Sequence, residues 1–283
     1  MRVSRRKNLM GKADDKVLLV AIIFVFCAFI SAMASAAVTT VEELQFSRVQ
    51  LMGSNELEIT QGDENSLKIR GDKGDLTPPP FVVQGDTLRL GVTPQGNSIS
   101  GVKYKLTTKS LEALLLDGSG DIFVKPLTVG DLLVSVEGSG VIRMYDVETL
   151  ELEMRVFGSG ALQAVNVSAK SARLNLKGSG DIQLGTLQAD MVRTHMAGSG
   201  DISVQDGGST DYLEVGLMGS GDVAMKGLIA GKAEVSIMGS GDTEIGVENS
   251  LEAKIMGSGD LIYHGKPKLS TSVMGSGDII QRD

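Results

Sequence analysis

A tripeptide, Gly-Ser-Gly, returns nine times at nearly constant intervals, and no other feature of this 283-residue chain limits its folding so strongly. Copies begin at Gly118, Gly138, Gly158, Gly178, Gly198, Gly219, Gly239, Gly257 and Gly275, in steps of 20, 20, 20, 20, 21, 20, 18 and 18 residues. Polarity alternates around every copy. The second residue before each triplet is apolar, from Leu116 through Leu176 and Ile237 to Val273. The fourth residue after its first glycine is apolar from Ile122 to Ile279, except for Thr243. Intervening positions are mostly polar, as at Ser135, Arg155, Asn175 and Lys254. A period of two means strands with one buried face. The glycines then sit where the chain corners, in torsions closed to other residues.

A rung this short cannot bury its own apolar face, so rungs must stack. The expected fold is all-β: a single-stranded parallel β-helix (β-solenoid) with coils of about 20 residues and an irregular N-terminal cap. Nine triplets predict about nine coils. The composition suits a thin core, with 42% hydrophobic but only 4% aromatic residues and no tryptophan. A propeller blade takes about 40 residues, twice the observed period. Calcium-binding G-G-x-G-x-D repeats recur about every nine residues, so their likeness to Gly-Ser-Gly-Asp is superficial.

Residues 37–117 read as the same architecture, less regular, and form the expected N-terminal cap of the regular solenoid at 118–283. Met52-Gly53-Ser54-Asn55 looks like a worn copy of the later corners, and Pro78-Pro79-Pro80 breaks one junction. Residues 1–36 stand apart. A basic start is followed by the apolar run Val17–Ile30 and by Ala32-Met33-Ala34-Ser35-Ala36, the parts of a secretory signal peptide. An uncleaved anchor over residues 17–37 is the alternative, and would be the one membrane contact expected. The single cysteine, Cys27, falls inside this segment, so a chain cleaved after it would have no thiol for disulfides, catalysis or metal binding. Removing six basic and two acidic residues with the leader takes the net charge from −8 to −12. Such a balance opposes nucleic-acid binding. An exported protein of a Gram-negative periplasm or outer surface is expected.

Phe46, Val49, Leu57, Ile59, Gln61 and Gly62, then Ile69-Arg70-Gly71-Asp72, then the reiterated Gly-Ser-Gly-Asp-Ile form a series. In this the chain, from Val41 to Asp283, resembles exported bacterial proteins of the family described as putative auto-transporter adhesin, head GIN domain. The resemblance implies a secreted β-helical domain with an adhesin-like role. No terminal aromatic strand of a membrane barrel is visible.

Repeats turn positions into columns. The residue after each triplet is Asp121, Val141, Ala161, Asp181, Asp201, Asp222, Asp242, Asp260 and Asp278. Stacked carboxylates repel and need relief. Corner amides would supply it as in Asx turns, and this outweighs the sharper reading, a Ca²⁺ shared between neighbouring members from Asp181 to Asp278. The nine triplet serines read as a hydrogen-bonded ladder, since a catalytic serine is unique and needs a base. Before the triplets, the column ends in Met218, Met238, Met256 and Met274. These either fold over the sheet edge or form a soft apolar contact stripe.

No catalytic residue and no cofactor are assigned. A β-helix enzyme acting on polysaccharide needs a close acid–base pair, usually with aromatic platforms. The expected function is a non-catalytic cell-envelope module, adhesin-like, that binds a protein or glycan of the envelope or surface. A polysaccharide-active enzyme and a purely structural periplasmic spacer are the alternatives. The final coil, with Val273 and Ile279 partly wet, also allows end-to-end homodimers, against which Lys266, Lys268, Arg282 and Asp283 act.

Overall fold

The computed structural model describes residues 37–282; the expected signal segment lies outside the described residues. The described residues contain no helix. They form a β-solenoid in which nine triplet corners delimit eight complete turns, one fewer than the triplet count suggests.

Before the repeat come β1 (Ala37–Glu42), β2 (Arg48–Gly53), β3 (Glu56–Gln61), β4 (Ser66–Gly71), β5 (Phe81–Gln84), β6 (Thr87–Leu90) and β7 (Lys103–Thr108). The first regular turns are built in pieces from β8 (Ala113–Gly118), β9 (Asp121–Val124), β10 (Leu127–Thr128) and β11 (Asp131–Gly138). Each of the next strands runs round most of a turn: β12 (Val141–Gly158), β13 (Ala161–Gly178), β14 (Asp181–Gly198), β15 (Asp201–Gly219), β16 (Val223–Gly239) and β17 (Thr243–Gly257). β18 (Leu261–His264), β19 (Lys268–Gly275) and β20 (Ile279–Arg282) follow.

Neighbouring coils pair parallel and in register, so that Leu152, Ala172, Val192, Leu213, Ala233, Leu251 and Leu269 stack in one column. In β12 the inward residues are Ile142 and Met144, then Val147, then Leu152, Met154 and Val156, all at most 3% exposed. Three sides result: a first at 141–144, a short second at 147–149 and a third at 152–158. The triplet makes the corner from third side to first. Leu, Ile, Val, Met and Ala fill this triangle because its width leaves little room for rings. Eight coil steps of about 4.8 Å make a stack roughly 40 Å long.

The N-terminal segment differs by mixing strand directions. β2 and β3 continue the regular stack under β8 and β9 in parallel. Below them lie β6 and β7, still parallel. Antiparallel partners then end both sides, β5 beside β6 and β4 beside β7, with β1 outside β4. Met52-Gly53-Ser54-Asn55 forms the corner beneath Gly118: the Ser119 amide donates to the Gly53 carbonyl at 3.1 Å. Asn55 replaces the third glycine because a loop, not another corner, lies below it. Its side chain donates to the carbonyls of Met52 and Ile99, both at 2.7 Å, and accepts from the Val102 amide at 2.9 Å.

Val273 departs from its column. Parity assigns it to the core, yet it is 45% exposed and every residue of β19 is exposed, because among the described residues no further coil covers this side.

Candidate functional site

The triplet corners form a ridge along the stack. The first glycine of each has φ between 114° and 147°, the left-handed region that a Cβ disfavours. Positive φ explains only that glycine. The third glycine is buried in all nine copies, and a Cβ there would overlap the backbone carbonyl of the equivalent residue one coil below. Close stacking of backbone on backbone is therefore the second reason for the motif.

The serine ladder exists, but its rungs differ from those expected. Each serine amide donates to the first-glycine carbonyl of the preceding corner, at 2.8–3.1 Å through all nine copies. The serine side chains point outward and are exposed. Backbone, not hydroxyl, makes the ladder.

Beside it runs the aspartate column, where Oδ1 of Asp181, Asp201, Asp222, Asp242 and Asp260 each accepts the amide of the next coil's aspartate at 2.8–3.2 Å. Where no carboxylate stands below, a glycine carbonyl takes its place: Ala161 donates to Gly140, and Asp181 to Gly160. Asp121 is the exception that shows the competition. Its carboxylate is engaged by Arg143 at 3.1 Å, and the Val141 amide turns to the Gly120 carbonyl at 3.0 Å. Among the described residues, no three His, Cys, Asp or Glu side chains gather in a way that could hold a metal ion.

On the other flank, Met218, Met238, Met256 and Met274 pair in register across β15, β16, β17 and β19. They are 50%, 39%, 49% and 70% exposed, so they do not fold over the edge but stand as an apolar row. The two histidines do not meet. His264 Nε2 lies 2.8 Å from Glu244 Oε1 on the first side, while His195 stands on the third.

A groove over the second side is absent from the sequence reading. Its first part, about 490 Å³, is lined by the corner residues Asp146, Asn166, Thr186 and Asp206 and by Glu148, Ser168 and Gln188 of the second side. A further 710 Å³ continues past Ser168, Gln188 and Gly208 to Asp190, Asp211, Glu248 and Asn249. Asn166 donates to Asp146 Oδ1 at 2.6 Å and accepts from the Thr186 hydroxyl at 2.8 Å. The available signal was a local break in alternation: Tyr145 and Asp146 are adjacent and both exposed.

The family model described as putative auto-transporter adhesin, head GIN domain matches residues 45–207 and 156–267. No curated protein matches significantly. Among solved structures, a putative lipid binding protein from Parabacteroides distasonis ATCC 8503 is similar, with 25% identity and a TM-score of 0.64 over 88% of this chain and 97% of that one. A putative adhesin from the same organism has 17% identity and a TM-score of 0.67, over 88% and 98% of the two chains. A putative adhesin from Parabacteroides merdae ATCC 43184 has 18% identity and a TM-score of 0.68, over 88% and 96%. The last two likenesses speak to fold alone.

Proposed function

The chain belongs to the family described as putative auto-transporter adhesin, head GIN domain, and from this we propose that it is a non-catalytic, exported cell-envelope protein that works as an adhesin-like binding module. Residues 1–36 would carry it out of the cytoplasm, to the periplasm or the outer surface. The observation that carries the binding reading is the methionine row. Four large apolar side chains in register on a polar wall suit contact with an envelope protein, because thioether side chains adapt to varied partners. A spacer has no use for such a row. An enzyme would need an isolated acid–base pair, whereas the ridge carboxylates from Asp181 to Asp260 repeat one another and accept backbone amides.

The test uses cells displaying the full chain. Protease accessibility reports its side of the outer membrane, and binding to envelope fractions reports adhesion. Met238→Lys with Met256→Lys is expected to cut binding at least tenfold while the circular dichroism spectrum stays unchanged. Undiminished binding removes the methionine row from the function. Turnover of pectin, alginate or chitin by purified protein, abolished by one aspartate substitution, would overturn the non-catalytic reading.

A further inference from the structure

We infer that the groove over the second side binds a linear glycan that carries no acidic groups, built of neutral or amino sugars. The inference rests on the reading of the chain as a binding module, but not on the methionine row, which lies beside the triplet corner rather than in this groove.

Three observations carry it. The first is shape. Two hollows of about 490 and 710 Å³ share Ser168, Gln188 and Gly208, so they form one trough. It runs from Pro126 to Asn249 across seven successive coils. Six steps of about 4.8 Å make it roughly 30 Å long, room for several sugars in an extended chain. Gly207 and Gly208 contribute bare backbone to its wall.

The second is hydrogen-bonding capacity that repeats with the coils. Asn166 spends one N–H on Asp146 and one lone pair on Thr186. A second N–H and a second lone pair remain. Gln188, Ser168 and Thr186 add a carboxamide and two hydroxyls along the same line. Carboxamide and carboxylate groups can engage neighbouring hydroxyls of a sugar in pairs. Leu127, Val147 and Val167 beneath them are 2%, 3% and 2% exposed and belong to the core, so the trough offers a sugar hydrogen bonds rather than a stacking face.

The third is charge. Asp146, Glu148, Asp190, Asp206, Asp211 and Glu248 line the trough, and among the described residues no lysine or arginine lines it. A uronic acid or sulfated sugar would bring like charge into a carboxylate-lined channel. Hydroxyl groups and protonated amines meet no such barrier, and amines are attracted.

The experiment titrates the purified full chain by calorimetry with three linear hexasaccharides: N-acetylglucosamine hexamer, glucosamine hexamer and galacturonate hexamer. The first two are expected to bind, and the galacturonate hexamer at least tenfold more weakly than either. Ser168→Trp, which plugs the shared middle of the trough, is expected to abolish binding, and Asn166→Ala to weaken it at least threefold. Melting curves identify any variant that fails to fold, and Asn166→Ala, an exposed truncation, then decides. Met238→Lys is expected to leave hexasaccharide binding unchanged. Failure of all three hexasaccharides, equal or tighter binding of the galacturonate hexamer, or folded Ser168→Trp and Asn166→Ala variants that bind normally would each overturn the inference. Loss of envelope binding on the methionine substitutions would still stand in that case, so the two readings fail separately.

Discussion

At single residues, the ridge shows how little freedom a stacked corner leaves. Gly180 is not in the left-handed region, yet a Cβ there would run into the Gly160 carbonyl, which is backbone and held by the Asp181 amide at 3.1 Å. Gly180→Ala is expected to cost about 3 kcal/mol, the upper range for overpacking a tight site. Ser179→Ala, one residue away but exposed, is expected to stay within about 0.5 kcal/mol. Urea denaturation of both variants measures the contrast. Tyr104 offers a second case. It is 1% exposed, its hydroxyl donates to the Pro80 carbonyl at 2.8 Å and accepts the Gly91 amide at 3.0 Å. Burial pushes its ionisation well above the ordinary value of 10.0, with the Gly91 amide opposing weakly. The folded state therefore holds this proton more tightly than the unfolded chain. Stability is full below pH about 10 and falls as pH rises beyond it. Denaturant midpoints measured across that range are expected to decline, with the Tyr104 phenolate absorbing only as the fold opens.

At the level of strands, one parity rule separates core from surface. Leu176 is fully buried and Val235 is 1% exposed, while Met238, three positions after Val235 on the same strand, faces out. Leu176→Asp or Val235→Asp puts a charge without a partner into a dry column, a penalty of several kcal/mol. Met238→Lys is expected to change the melting temperature by no more than a few degrees, since surface substitutions cost about 0.5 kcal/mol or less. Thermal melts of the three variants decide. That parity was legible because each coil repeats it, and Leu176 is identified by eight equivalents as much as by its own neighbours. Val273, read as partly wet at the final coil and 45% exposed, shows the complementary limit: a column residue is buried only if a coil lies on both sides of it. The aspartates were half legible. Sequence showed that stacked carboxylates need relief, but the exchange at Asp121, where Arg143 displaces an amide, depends on a side chain two positions along the strand and one coil away. Beyond the break in alternation at Tyr145 and Asp146 the groove was illegible, because it belongs to no single strand. Its walls are corner residues of different types, Asp146, Asn166, Thr186 and Asp206, which become one surface only when the coils are stacked.

Across the molecule, each coil touches its neighbours and little else, so stability is close to a sum of coil and interface terms. Amides of β13 and β14 are paired on both sides, whereas β19 has a described partner on one side only and is exposed throughout. Hydrogen exchange is expected to be slowest in 161–198 and fastest in 268–282, in graded order between them. Uniform protection along the stack would mean all-or-none opening instead. The grooved side has a further consequence. Coils differ in length, and every break in register falls there: at Leu184/Thr186, Ser203/Gly208, Met225/Ile229 and Ala230/Lys232. None falls at the triplet. The ridge acts as a ruler that resets the phase of each turn, and the side away from it absorbs whatever length is added or lost. A lineage descended from such a chain could lengthen or shorten its coils there one residue at a time, reshaping whatever it holds, without ever disturbing the order in which the core is stacked.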